Sequence, residues 1–295
     1  MLTRRQLLKQ SAWLAAFAGG FMSMESADTD AGKKRKFKIG ACDWSLGKRN
    51  DVAAFEIAKN IGLEGIMVDM GSEQNGLPLR KQEIQDLYKE KSRSTGIKIS
   101  SIAIGELNNV PYKSELRTVQ WVWDSVDVAK NLGVPVVLLA FFSKNDLRND
   151  DAGKKEVVNR LKRVAEHSEE NGIILGIESY LSADEHRDII EKVGSKNVKV
   201  YYDFRNTADA GHDTIAEFKK LDKEMICELH MKENGHLLGK GTLDWPAIGK
   251  AVYEKGYYGD GWMQIEGAIP EKADLVESYR HNHGLLKSVF SKGIR

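Results

Sequence analysis

The stretch Gly172-Ile173-Ile174-Leu175-Gly176-Ile177-Glu178 decides the fold, because an apolar β-strand pattern runs straight into a carboxylate. The same pattern recurs downstream, over Val198–Asp203, Ile226–His230 and Trp262–Glu266. The four closing residues, Glu178, Asp203, His230 and Glu266, are 25, 27 and 36 residues apart. Each interval fits one strand–helix repeat of a (β/α)8 barrel, whose parallel strands all aim their C-terminal ends at one mouth. The four side chains are therefore expected to converge.

Upstream, four more strand patterns lie at Phe37–Cys42, Gly65–Asp69, Lys98–Ile104 and Pro135–Phe141, which makes eight. Helical patterns separate them: Val52–Ile61, Lys81–Ser94, Ser114–Leu132, Lys154–Glu170, Asp184–Val193, Thr214–Leu221 and Trp245–Lys255, with Ala273–Phe290 closing the chain. Strands alternating with helices of this length imply βαβ units and a parallel sheet. Gly62, Gly133, Gly172 and Gly256 each stand where a helix must end in a left-handed cap before the next strand. An open doubly wound sheet would carry a Gly-rich phosphate turn after its first strand, and Ala41-Cys42-Asp43-Trp44-Ser45 is not one. The expected architecture is an α/β TIM barrel, a single domain over residues 37–295.

Residues 1–36 read differently. Thr3-Arg4-Arg5-Gln6-Leu7-Leu8-Lys9 is a twin-arginine pattern, followed by an apolar run from Ala12 to Met22 and then polar sequence. That run is well short of the roughly 20 residues that span a bilayer, so a twin-arginine-type export signal and linker is expected, without stable membrane insertion. The expected location is the periplasm. Ser26-Ala27 weakly marks a cleavage point.

With 295 residues, 41% hydrophobic and 29% charged, the chain has the make-up of a globular domain with a sizeable core. A formal net charge of +1 gives no electrostatic reason for a nucleic-acid partner. The two cysteines, Cys42 and Cys227, fall in or beside strands that are not barrel neighbours, so buried free thiols are expected, and a cysteine metal cluster is excluded by number. Trp121 and Trp123 face different sides of one helix, so at least one packs in the core or against a second copy of the chain, which leaves a homo-oligomer open.

Strand alternation places Gly176 and Ile174 on the inner face with Glu178, and likewise Tyr201 with Asp203, Glu228 with His230, and Gln264 with Glu266. Three carboxylates and one imidazole, without thiolate, suit one divalent metal: Mn, Mg, Co or Zn. Glu228 and Gln264, polar in a layer that is ordinarily apolar, are expected to orient the ligands by hydrogen bonds. Glu178 and Glu266 approach a bound sugar from different strands, and each can exchange a proton with a carbon beside a carbonyl. A metal-stabilised enediolate between two such carboxylates gives epimerisation or aldose–ketose isomerisation. With a leaving group β to the carbonyl, the same chemistry gives elimination.

The motifs Gly176-Ile177-Glu178-Ser179, Tyr202-Asp203-Phe204-Arg205-Asn206, His230-Met231-Lys232-Glu233, Gly239-Lys240-Gly241-Thr242-Leu243-Asp244-Trp245 and Gln264-Ile265-Glu266 resemble the xylose-isomerase-like barrels. These are the sugar and sugar-phosphate isomerases and epimerases, including ketose 3-epimerases and inosose dehydratases. The resemblance covers residues 37 to 290 and is densest from 172 to 267. It implies that Glu178, Asp203, His230 and Glu266 hold the metal and that Glu178 and Glu266 are also the catalytic proton-transfer pair. The sequence departs where ketose 3-epimerases carry His three residues after the metal Asp, which here is Asn206, and where Glu233 replaces the common Asp.

Further substrate contacts are expected at the mouth: Trp44 as a stacking plane, Glu106 and Asp69 for hydroxyls, Asn206 at the position just described, and Lys232, Glu233 and Lys240 in the loop after strand seven. An export signal favours free sugars, keto-sugars or glycosides over sugar phosphates. A metal-dependent sugar isomerase or epimerase is therefore the first expectation, and a periplasmic lyase or hydrolase cleaving 3-keto-glycosides by β-elimination at the same metal the second. A barrel endonuclease needs several metals, and the seven histidines are not arranged for them. A sugar-binding barrel without catalysis needs no proton-transfer pair.

Overall fold

The computed structural model describes residues 37–257 and 261–291, and in it eight parallel strands close into a barrel in the order β1 to β8. The strands are β1 (Lys38–Cys42), β2 (Gly65–Asp69), β3 (Lys98–Ile104), β4 (Val136–Phe141), β5 (Ile174–Ser179), β6 (Val198–Asp203), β7 (Ile226–Lys232) and β8 (Trp262–Glu266). Closure is made by β1 against β8, with Gly40 opposite Gln264. The expected TIM barrel is the observed fold. The export-signal reading of residues 1–36 lies outside the described residues. Among the described residues, no helix is long and apolar enough to cross a membrane.

Helices α1 (Ala54–Ile61), α2 (Gln82–Thr95), α3 (Arg117–Leu132), α4 (Asp151–Glu170), α5 (Ala183–Val193), α6 (Phe204–Asp209), α7 (Thr214–Lys220), α8 (Trp245–Glu254) and α9 (Leu275–Ser291) connect the strands or close the chain. The longer ones, such as α3 and α4, cover the barrel with a largely apolar face. In α3, Trp121, Val122, Val126 and Ala129 are buried, a spacing that repeats with the helical turn. Trp123, on the other side, is half-exposed and stacks on His167 with ring centroids 4.1 Å apart. Gly62 and Gly133 adopt φ of 91° and 71°, the left-handed caps that the sequence demanded. The structure adds α6, six residues that follow β6 without a linker. Its N-cap is Asp203 itself, whose side chain accepts from the Arg205 and Asn206 amides.

Two apolar clusters divide the interior. The larger lies between strands and helices and includes Leu175 and Ile177 of β5; the smaller fills the barrel and includes Cys42, Met67, Ala103, Leu138, Ala140, Tyr201 and Cys227. The alternation expected for β5 therefore holds. A Cβ on Gly176 would meet Cys227 Sγ at 2.7 Å and the Tyr201 ring at 3.3 Å, so the missing side chain is what lets Tyr201 occupy the axis. Both cysteines are free and buried, as expected. Two strands run past their apolar pattern: β5 to Ser179 and β7 to Lys232. The second extension sets Lys232 opposite Glu266 in the ladder.

Candidate metal centre

Register delivers the quartet. Parallel pairing puts Asp203 beside His230, Lys232 beside Glu266 and Ala140 beside Glu178, all at the C-terminal rim. His230 Nδ1 lies 2.8 Å from Glu178 Oε1, 3.6 Å from Glu266 Oε2 and 3.9 Å from Asp203 Oδ2. One ligand atom from each of the four falls within 4.8 Å of the others. Asp203 Oδ1 is used as the cap of α6, accepting from the amides of Arg205 at 2.7 Å and Asn206 at 2.9 Å, while Oδ2 is buried with no hydrogen-bond partner. A buried carboxylate oxygen without a donor is costly in a folded protein. A cation between these oxygens and the imidazole would satisfy it, and an oxygen-rich set with one nitrogen suits a hard or borderline divalent ion. The residues fit such a metal.

The supports beneath differ from the sequence expectation. Glu228 Oε2 accepts from Ser101 Oγ and from the Tyr201 hydroxyl, both at 2.9 Å, and Gln264 Nε2 donates to Ser100 Oγ at 2.6 Å. Those bonds go to the barrel floor rather than to a ligand. Glu228 reaches the centre through Tyr201, whose ring packs against His230 with centroids 4.6 Å apart. Behind His230, Nε2 faces Cys42 Sγ at 3.4 Å. Burial pushes the Cys42 thiol up to about 12, so it stays neutral there. Burial likewise raises Glu228 to about 7 against the hydrogen bonds from Ser101 and Tyr201.

Charge in the centre is balanced by proximity. Lys232 Nζ donates to Glu266 Oε2 at 2.9 Å, and Trp44 Nε1 donates to Glu266 Oε1 at 2.9 Å. Burial alone would raise Glu266, yet the charges of Lys232 and His230 and these two hydrogen bonds outweigh it and hold the carboxyl well below its usual range. Asp203 moves the other way, raised by burial and by the Glu178 and Glu266 charges against Lys232 and His230. Burial opposes charge on His230 and Lys232 as well, but the surrounding carboxylates win and raise both. On the other side, Asn206 Nδ2 donates to Glu178 Oε1 at 3.0 Å, the oxygen that also faces His230.

Above the centre opens a cavity of about 320 Å³ walled by Trp44, Arg49, Asp69, Asn108, Phe142, Tyr180 and by Glu178, Asn206, Lys232 and Glu266. The structure thus brings Trp44, Asp69, Asn206 and Lys232 to the cavity with both glutamates. It does not bring Glu106, Glu233 or Lys240 to its wall. Glu106 is buried and accepts from the Glu73 amide and from Asn109 Nδ2, so it braces the mouth loops. Glu233 is fully buried, and its Oε1 accepts from the Leu243 amide and the Trp245 indole, pinning the loop that leads to α8. Lys240 is exposed in that loop. Arg49, Asn108, Phe142 and Tyr180 escaped the sequence reading. Arg49, Phe142 and Tyr180 follow strands in irregular segments and Asn108 ends a single 3-10 turn, where no period singles out a residue. A larger groove of about 880 Å³, between Trp245, Lys250 and Leu285, contains none of the quartet.

Comparison with known proteins agrees with this fold. The sequence profile described as a xylose isomerase-like TIM barrel matches residues 55–289. The chain is 25% identical over 201 residues to a 2-epi-5-epi-valiolone 7-phosphate 2-epimerase from an Actinoplanes species, a match that covers 66% of this chain and 72% of that protein. It is 28% identical over 138 residues to a D-psicose 3-epimerase from Enterocloster bolteae, covering 42% and 43%. The crystal structure of a 3-keto-D-glucoside 4-epimerase from E. coli superposes with a TM-score of 0.70 at 16% identity, over 86% of this chain and 100% of that one, a likeness of fold.

Proposed function

The chain belongs to the xylose isomerase-like TIM-barrel family, and on that premise we propose that it is a divalent-metal-dependent sugar epimerase or isomerase that moves a proton at the carbon beside a carbonyl. The observation that carries this reading is the convergence of His230 Nδ1 with three carboxylates, one of which keeps a buried, unpartnered oxygen. When bound, the metal would supply Lewis acidity at the sugar carbonyl. The chain's own residues supply the rest. Lys232 and Trp44 hold Glu266 oriented and in the ionised form that a proton acceptor needs. Glu178, fixed by Asn206, stands on a different strand and is placed to return a proton from another side. Two groups that face one carbon from different sides invert it; one group serving two neighbouring carbons isomerises.

The two relatives' names leave the substrate open, since one carries a 7-phosphate and the other does not. A second reading, β-elimination from a 3-keto-glycoside, is favoured by the apolar side of the cavity. There Ala103, Leu138, Ala140 and Phe142 offer a departing group little polar competition. The proposal also includes export, on the strength of Arg4-Arg5 and the short apolar run after them; fractionation of expressing cells checks it, and a wholly cytoplasmic pool of full-length chain would count against it.

The test is incubation of the metal-loaded protein with free ketoses, ketose phosphates and 3-keto-glycosides in deuterated buffer. Deuterium wash-in with an inverted or isomerised sugar is the expected result. Release of an aglycone would select the elimination reading, and no exchange with any substrate would overturn both.

A further inference from the structure

Asp69, the last residue of β2, lies in the cavity wall yet is fully buried. Its Oδ1 accepts from the Gly71 amide at 2.7 Å, whereas its Oδ2 has no well-formed hydrogen bond, although the Gly105 amide also favours the carboxylate. Asp43 Oδ2 accepts from the Asp69 amide at 3.2 Å, which fixes the backbone that carries it. Arg49 reaches the same spot from the loop after β1, with its guanidinium 5.8 Å from the centre of the Trp44 ring. A Cβ built on Gly105 would lie 2.6 Å from Asp69 Oδ2 and 3.9 Å from an Arg49 terminal nitrogen, so a bare glycine keeps that corner open. The corner is separate from the quartet, which stands on β5 to β8.

We propose that Asp69 and Arg49 form a polyol subsite in the cavity wall at the ends of β1 and β2, which binds the hydroxyls of an unphosphorylated sugar and rejects a phosphorylated end. This rests on the sugar-enzyme reading above. A hydroxyl can both donate to Asp69 Oδ2 and accept from the Arg49 guanidinium, and neighbouring hydroxyls satisfy both at once. A phosphate offers acceptors only. It would leave Asp69 Oδ2 without a donor and set its negative charge beside the Asp69 carboxylate, against which the Arg49 charge is already engaged. Burial lifts Asp69 to about 6 against the pull of Arg49, which leaves it an anion at slightly alkaline pH.

The experiment is calorimetric binding of matched pairs, D-fructose with its 6-phosphate and D-psicose with its 6-phosphate, to the manganese-loaded protein at slightly alkaline pH. The free sugar of a pair is expected to bind about tenfold or more tightly than its phosphate, the scale of one unpaired buried acceptor. Asp69→Asn, which keeps the acceptor for Gly71 and turns the other oxygen into a donor, should narrow or reverse that ratio. Arg49→Ala removes an exposed side chain and should weaken the free sugar without favouring the phosphate; circular dichroism confirms that both variants fold. Equal or tighter binding of the phosphates by the wild type, a ratio unmoved by Asp69→Asn, or no binding of any free sugar would each overturn the subsite. Deuterium exchange is read separately: discrimination without exchange would sink the epimerase reading and leave the subsite standing, and exchange without discrimination would do the reverse.

Discussion

The two halves of the barrel mouth are built from opposite chemistry. Strands β5 to β8 end in Glu178, Asp203, His230 and Glu266, with Lys232 in the same layer, whereas β3 and β4 present Ala103, Leu138 and Ala140 to the same cavity. Between them, β1 and β2 contribute Cys42 behind His230 and Asp69 in the cavity wall. The contrast shows how one scaffold separates tasks. Carboxylates are gathered where an ammonium and an imidazole balance them, and the apolar half keeps water from screening those charges. A closed parallel barrel permits this because each strand end is chosen independently of its neighbours.

The sharpest way to break the comparison is to neutralise the charged half. Glu266→Gln and Glu178→Gln should each lower the rate of deuterium wash-in by about 10²- to 10⁴-fold, the range for a positioned acid or base. Loss of less than tenfold in both would show that proton transfer runs elsewhere. His230→Ala comes next. Saturating manganese at about a hundred times its Kd should stabilise the wild type by about 3 kcal/mol, visible as a rise in thermal midpoint, and elemental analysis should find one metal per chain. The variant should show neither; unchanged metal content in it would remove His230 from the ligand set.

The apolar half is probed by filling it. Ala140→Leu adds bulk to the cavity wall and should raise KM about tenfold, by the cost of overpacking a fitted surface, while metal content stays the same. A fall in metal content instead would show that the two halves are not separable. A further effect, on stability rather than on the reaction, lies under the corner between them. Burial, and after it the Asp69 charge, raises Asp43 to about 7. The folded chain therefore holds a proton that the unfolded chain releases near pH 4, so this group costs stability as pH climbs from about 4 to about 7. Asp43→Asn should flatten that part of the profile, read as urea midpoints at about pH 5 and about pH 8. An unaltered slope would show that Asp43 does not titrate in that window.

The legible part of the site is the part carried by regular strands. Glu178, Asp203, His230 and Glu266 could be found because period and spacing mark strand ends, and Trp44, Asn206 and Lys232 because they sit within a few residues of those ends. Glu106 and Glu233 sit just as close and turn inward to brace loops instead. Nothing in their spacing separates a carboxylate that meets substrate from one that pins an amide. Helix α6 was missed for a related reason: it is six residues long, too short for a period to show, and its start depends on a side chain that the sequence had already assigned to metal. Glu228 and Gln264 were placed on the correct face, but which polar atom each meets across the barrel, 127 residues away for Ser101 and 164 for Ser100, is not a local property.

What the sequence determined by itself was the alternation of strands and helices, their closure into a barrel and the identity of four convergent side chains, because periodicity and capping act between residues near one another in the chain. The tertiary structure alone decided that Asp203 divides its two oxygens between a helix cap and the centre, that a thiol stands behind His230, that Lys232 and Trp44 hold Glu266, and that Asp69 and Arg49 line one cavity. Those facts depend on which atoms lie within about 3 to 4 Å after the ring closes. Distances of that kind are set by register and packing across the whole barrel.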